Sequence, residues 1–176
     1  LTAGMGIMLF YSPDRLRSEM LEAALEWCGA PYRNKSHPSE APDQFSCSTF
    51  TKFLFAGFGI WLPRYSVDQS YCGRSVDPAS DDVLPGDLLF YRNRFPIEDP
   101  DRKIGHVGIA SVYGRIVHGS AKEKKIYEET APRRLSIVRR IIPDEDYVLI
   151  EINKQLGDFE NALDLIRHFQ RAPRST

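Results

Sequence analysis

An α+β domain is predicted for this chain, with helices in its first half and a run of antiparallel strands in its second. Three observations carry the prediction. Apolar residues recur at helical spacing between Leu16 and Cys28 and again between Phe50 and Phe58. From Asp87 onward the apolar period shortens to two, in segments punctuated by Gly and Pro. The chain has 176 residues, 42% hydrophobic and 27% charged, enough for one domain that buries a core.

The first ten residues, Leu1 to Phe10, hold an apolar patch but no basic leader, and they are too few to span a bilayer. Ser12-Pro13-Asp14 signals a helix start: a capping hydroxyl, Pro at the first helical position and an acid at the positive end of the dipole. Leu16, Met20, Leu21, Ala24, Leu25 and Cys28 form its apolar face, and Gly29 ends it. On that face Cys28 is expected as a small buried hydrophobe. Residues 30–45, rich in Pro, Ser, Asn and Asp, read as a loop. A second helix begins near Ser46 or Cys47, with Phe50, Phe53, Leu54 and Phe58 facing inward and Gly57 and Gly59 closing it. Trp61 and the Phe-rich stretch read as core. A short helix is expected from Ser66 to Tyr71. Pro85-Gly86 opens the β pattern, with strands over Asp87–Tyr91, His106–Tyr113 and Arg115–Gly119 and a hairpin turn at Gly114. Residues 135–142 and 147–152 suit two more strands, and Asp158 to Gln170 an amphipathic C-terminal helix.

A net charge of −1 gives no electrostatic reason to expect nucleic acid, and Arg133-Arg134 and Arg139-Arg140 read as a solvated strand face. Three cysteines, Cys28, Cys47 and Cys72, do not make a fully paired disulfide framework. No CxxC or HxxxH spacing occurs, so a metal site is not expected. A leader removed ahead of Leu1 would place the protein in a cell envelope or outside the cell; without one it stays cytoplasmic.

The chemistry concentrates in three segments: Phe45-Ser46-Cys47-Ser48-Thr49-Phe50, Gly105-His106-Val107-Gly108-Ile109-Ala110 and Ile116-Val117-His118-Gly119-Ser120. A thiolate is favoured by a helix N-terminus and by a nearby imidazole, and Cys47 stands at the predicted start of a helix. His106 and His118 alternate with Val107, Ile109 and Val117, so both imidazoles fall on one side of a hairpin, within reach of each other. One imidazole acting on the thiol and a second orienting the first is the logic of a catalytic triad, and it implies a cysteine hydrolase. His37 and His168 are expected to face solvent, and Cys72 to be structural.

These segments resemble the NlpC-type cysteine peptidases, papain-like endopeptidases of bacterial cell-wall peptides. The resemblance also rests on Pro31-Tyr32-Arg33, on Gly59-Ile60-Trp61-Leu62-Pro63-Arg64-Tyr65-Ser66 and on Pro85-Gly86-Asp87-Leu88-Leu89-Phe90, in the family's order over about residues 20–141. It implies Cys47 as nucleophile, His106 as general base and His118 as the orienting third residue. Tyr32 would stand near the oxyanion, with Ser46, Ser48, Arg64 and Ser66 lining the substrate side. The implied substrate is a peptidoglycan stem peptide cut after a γ-linked D-glutamyl unit, with no metal or organic cofactor. Residues 1–141 would form the papain-like domain, and residues 142–176 a strand and helix extension packed on it. Two positions depart from the family pattern: Ser46 stands where relatives carry Asp, and Thr49 where they carry Gly. Other readings of the same cleft are an amidase, acyltransferase or effector toxin acting on a different amide, and a silent binding module.

Overall fold

The structure, a computed structural model, describes residues 9–93, 103–144 and 147–149. Its helices are α1 (Pro13–Glu26), α2 (Cys47–Gly57) and the short α3 (Ser66–Gln69). Strand β1 (Leu9–Tyr11) precedes them; β2 (Arg74–Val76), β3 (Leu88–Arg92), β4 (Ile104–Ala110), β5 (Arg115–Ser120), β6 (Lys125–Thr130), β7 (Leu135–Arg140) and β8 (Tyr147–Leu149) follow. Six strands make one antiparallel sheet in the order β2-β7-β3-β4-β5-β6, and β1 pairs with β8 in a separate two-stranded ribbon. The α+β prediction holds. The expected C-terminal helix and His168 lie outside the described residues.

Both long helices start where the capping chemistry places them. Ser12 accepts from the Arg15 N–H ahead of Pro13, and Ser46 accepts from Thr49 N–H ahead of Cys47. Leu16, Met20 and Ala24 of α1 and Phe50, Leu54 and Phe55 of α2 bury against Leu88, Phe90, Val107, Ile109 and Val117 of the sheet. Leu89, Tyr91, Ala110, Ile116 and Val138 form a second cluster on the sheet's other face, as a period of two requires.

Phe45 joins the loop to the core. It is fully buried and meets Trp27 and Phe50 edge-on at 5.5 and 5.4 Å, contacts worth about 0.5–1.5 kcal/mol each beyond the area they bury. Its backbone N–H donates to Pro31 O and its carbonyl accepts from Arg33 N–H, so the loop is pinned on both sides of Tyr32, immediately ahead of α2.

Several expectations are corrected. Cys28 is exposed, because α1 ends at Glu26 and the chain has turned away before reaching it. Leu25, roughly half a turn from Leu16 on the helix circumference, is also exposed. Trp61 is only partly buried, with the Lys52 ammonium 4.2 Å above its ring. Three strands were not expected, β1, β2 and β6. The loop over 30–45 contains a single 3-10 turn, Pro38–Glu40, capped by the exposed His37.

Arg140 is the largest departure. Instead of facing solvent it is buried in a fork with Asp87, Nε to Oδ1 at 3.0 Å and Nη2 to Oδ2 at 2.9 Å. Arg17, also buried, reaches Asp87 Oδ1 at 3.5 Å and donates to Ile142 O at 2.6 Å. This cluster ties α1 to β7 and to the residues that follow it.

Candidate active site

Cys47 is the first residue of α2, 8% exposed, where the helix dipole and unpaired N–H groups favour negative charge. Burial pushes its thiol above the ordinary range; the backbone N–H groups of Val107 and Ser48 and the Arg64 guanidinium pull the other way. Val107 is the neighbour of His106, so α2 delivers the sulfur to the same part of β4 that carries the imidazole.

The two histidines meet directly. His106 Nε2 lies 2.7 Å from His118 Nδ1, with the rings edge-on at 5.0 Å. They are diagonal rather than opposed: the β4–β5 register sets Ile109 against Val117, which places Gly108 across from His118. A Cβ at Gly108 would stand 2.5 Å from Ile116 Cδ1 and 2.8 Å from His118 Cβ, so glycine permits this close approach of β4 and β5. Tyr91, in register with His106, walls its ring at 6.2 Å. Burial and the neighbouring His118 push His106 down to about 4, against an opposing pull from the Glu129 carboxylate. His118 is also held below its usual value by burial.

Tyr32 is held by its N–H to Lys124 O, and its ring fills the space that a side chain at Gly119 would occupy. Burial and the proximity of Cys47 raise its phenol pKa, so it remains a hydrogen-bond donor. Ser46 and Thr49, the two departures, belong to one device. Ser46 N–H donates to Thr49 Oγ1 at 2.7 Å while Thr49 N–H returns to Ser46 Oγ, a reciprocal capping box. The box satisfies the helix start and leaves position 46 neutral.

Arg64 donates to Ser48 Oγ at 3.1 Å and to Ser36 O at 2.6 Å, and it makes no ion pair among the described residues. Ser66 opens α3; among the described residues its side chain makes no hydrogen bond to the other candidates. Cys72 is half-buried, its thiol directed to Asp68 O.

Two polar side chains escaped the sequence reading. Gln69, fully buried, donates to Ser48 O and Pro63 O and accepts from Thr51, locking α3 and the Pro63-Arg64 turn to the start of α2. Glu129 Oε1 lies 2.9 Å from His118 Nε2. The only signal for Gln69 is its place on a short helix, and for Glu129 its place on a strand too polar to be recognised.

Residues 29–139 match the sequence model of the NlpC/P60 family. This chain belongs to that family. Among curated relatives it is 47% identical over 47 residues to peptidoglycan endopeptidase RipB of Mycobacterium tuberculosis, covering 27% of this chain and 19% of the relative. To the probable endopeptidase NlpC homolog of Haemophilus influenzae it is 31% identical over 96 residues, covering 54% of this chain and 44% of the relative. The chain thus spans less than half the length of these relatives. The solved structure of the RipB peptidoglycan hydrolase superposes with a TM-score of 0.59 at 26% identity, over 75% of this chain and 67% of that one. NlpC1 of Trichomonas vaginalis gives 0.59 at 21% identity, over 80% and 46%, a likeness of fold. The papain-like class is therefore that of an NlpC/P60 domain. Among the described residues no cluster of three or more His, Cys, Asp or Glu is placed to hold a metal ion, and no helix is long and apolar enough to cross a membrane.

Proposed function

We propose that this NlpC/P60 domain is a cysteine peptidase that hydrolyses peptidoglycan stem peptides at a γ-D-glutamyl amide, with Cys47, His106 and His118 as its triad. The observation that carries the reading is the 2.7 Å His106–His118 bond, made on the strand whose Val107 N–H faces the Cys47 sulfur at the head of α2. Relatives named as peptidoglycan endopeptidases support the substrate class. Residues 1–141 carry the reaction in this reading.

With Nε2 of His106 engaged by His118, the free ring nitrogen is Nδ1. It takes the thiol proton as sulfur attacks the carbonyl carbon, and the carbonyl π electrons move to oxygen. The Cys47 backbone N–H and the Tyr32 hydroxyl receive that oxyanion; a donor of this kind is worth about 2.7–4 kcal/mol. The imidazolium returns its proton to the leaving amine nitrogen as the C–N bond breaks. Water then attacks the thioester, gives its proton to His106, and the acid leaves as the thiol is restored. Ser48, Arg64 and Ser66 line the substrate side, and Ser46 adds no carboxylate there.

Purified peptidoglycan digested with the protein and analysed by mass is expected to release fragments cut after D-glutamate. Intact stem peptides would overturn the endopeptidase reading, and cleavage elsewhere would move the bond.

The resting pair is thiol and neutral imidazole, because burial raises the one and lowers the other. The acid limb of kcat/KM is accordingly expected near pH 4, the value to which His106 is depressed, instead of near the ordinary ~6.5. Stability follows the same sign. Between about 6.5 and 4 the unfolded chain binds a proton at this position that the folded one does not, so stability is lost as pH falls through that window. Thiolate absorbance at 240 nm, measured by difference against Cys47→Ala, should be absent at neutral pH and appear only on the alkaline side. A thiolate signal at pH 6 would show an ion pair in the resting state.

A further inference from the structure

Glu129 has no role in the mechanism above, yet its carboxylate contacts the imidazole of His118. It stands on β6, diagonal to His118 across the β5–β6 pair, whose register sets His118 against Tyr127. Tyr127, two residues before it on the same face, stacks on the His118 ring at 5.1 Å and 27°. The Glu129 carboxylate oxygen is 2.9 Å from His118 Nε2, and His118 Nδ1 is 2.7 Å from His106 Nε2.

The direction of this chain of bonds follows from the donor inventory. A carboxylate only accepts, so His118 Nε2 carries the hydrogen. Neutral His118 then has its lone pair on Nδ1, and that nitrogen accepts. His106 Nε2 must donate, which leaves the lone pair of His106 on Nδ1, the nitrogen not committed to His118. Without the carboxylate the His106–His118 bond can run either way. In the reversed direction His118 Nδ1 donates, His106 Nδ1 is protonated, and the imidazole has no lone pair for the thiol. Each orientation satisfies the pair equally, so an outside acceptor must choose between them.

We propose that Glu129 is a positioning residue that sets the tautomers of both His118 and His106, and so keeps Nδ1 of His106 available as the base. The inference rests on the proposed role of His106. The groups in contact with the pair are Tyr91 from β3 and Tyr127 and Glu129 from β6, while Cys47 of α2 meets the N–H of Val107, the neighbour of His106, with the Tyr32 phenol beside it. Among these Glu129 is the acceptor in contact with an imidazole. Its side chain is 39% exposed, so bulk charge is screened and the direction of the hydrogen bond carries the effect.

The test has two arms. Long-range proton–nitrogen correlation spectra of histidine-labelled protein, recorded on the Cys47→Ala background, report the tautomers without any need for turnover. With Glu129 present, His118 and His106 are both expected as Nε2–H forms. In Glu129→Leu a mixture including Nδ1–H is expected, with Glu129→Gln in between because its carbonyl still accepts. In the second arm kcat is expected to fall about 10-fold in Glu129→Gln and about 100-fold in Glu129→Leu, the range seen when partners that orient functional histidines are removed. KM should stay constant, and the acid limb should move to lower pH because the carboxylate is what raises both imidazoles. Unchanged tautomers in Glu129→Leu would overturn the proposal, as would a kcat equal to that of the parent. If the parent protein cleaves no peptidoglycan, the proposed substrate fails while the spectra still decide the role of Glu129.

Discussion

Cys47→Ala should lower kcat by about a million-fold, the scale on which removing the nucleophile of a comparable serine triad acts, and should leave the fold intact. The loss is large because the attacking atom itself is gone, and the His106–His118 bond and the Tyr32 phenol have nothing to activate. The fold survives because the helix start does not depend on the thiol: the Ser46–Thr49 capping box closes the first turn, and Phe50, Leu54 and Phe55 anchor α2. Alanine is a better helix former than cysteine, and the lost sulfur contacts should cost about 1 kcal/mol. Thermal melting and turnover measured on one preparation check this. Unfolding together with loss of activity would assign Cys47 to the core instead of the reaction.

Asp87→Ala should give the largest stability loss, about 3–5 kcal/mol, because it strips the counter-charge from arginines that are themselves buried. Asp87 is fully buried, forks with Arg140 at 2.9 and 3.0 Å, meets Arg17 at 3.5 Å, and accepts from Leu84 N–H at 2.9 Å. Removing it leaves two guanidinium groups, 4% and 6% exposed, without their shared acceptor. Arg17 and Arg140 retain Asp144, but that carboxylate is half exposed and its pairs are screened. For a chain of this length the loss corresponds to a fall in Tm of roughly 10 °C or more. The folded fraction should keep its catalytic constants, since no member of the cluster bonds to Cys47, His106 or His118 among the described residues. A loss below about 1 kcal/mol in denaturant titration, with an unchanged m value, would mean that water or Asp144 replaces the acceptor at little cost.

The helices, most strands of the main sheet and the three residues of the proposed triad were readable in the sequence because each is encoded by a local pattern. Ser12-Pro13 and Ser46 cap their helices through bonds within one turn, and the alternation around His106 and His118 follows from the two-residue repeat of a strand. Tyr32 was reached only through resemblance, since nothing local distinguishes a site tyrosine from a packing one. The rest depended on which elements became neighbours. Cys28 was counted with the core face and is exposed, because α1 ends before reaching it, and Leu25 is exposed because it lies on the far side of the helix from Leu16. Arg140 looked like a solvated strand residue and is buried, because Asp87 lies 53 positions away in sequence and only strand pairing brings them together. Strand β6, with Ile126 its one fully buried side chain, is too polar for alternation to reveal; it forms because β5 offers it an edge. Glu129 rides on that strand, so its bond to His118 could not be read before the register was known. Capping and periodicity act within a few residues of the chain and are therefore written in the sequence. The partner of a buried charge and the acceptor that directs a histidine are chosen by the packing of distant segments, and those only the tertiary structure decided.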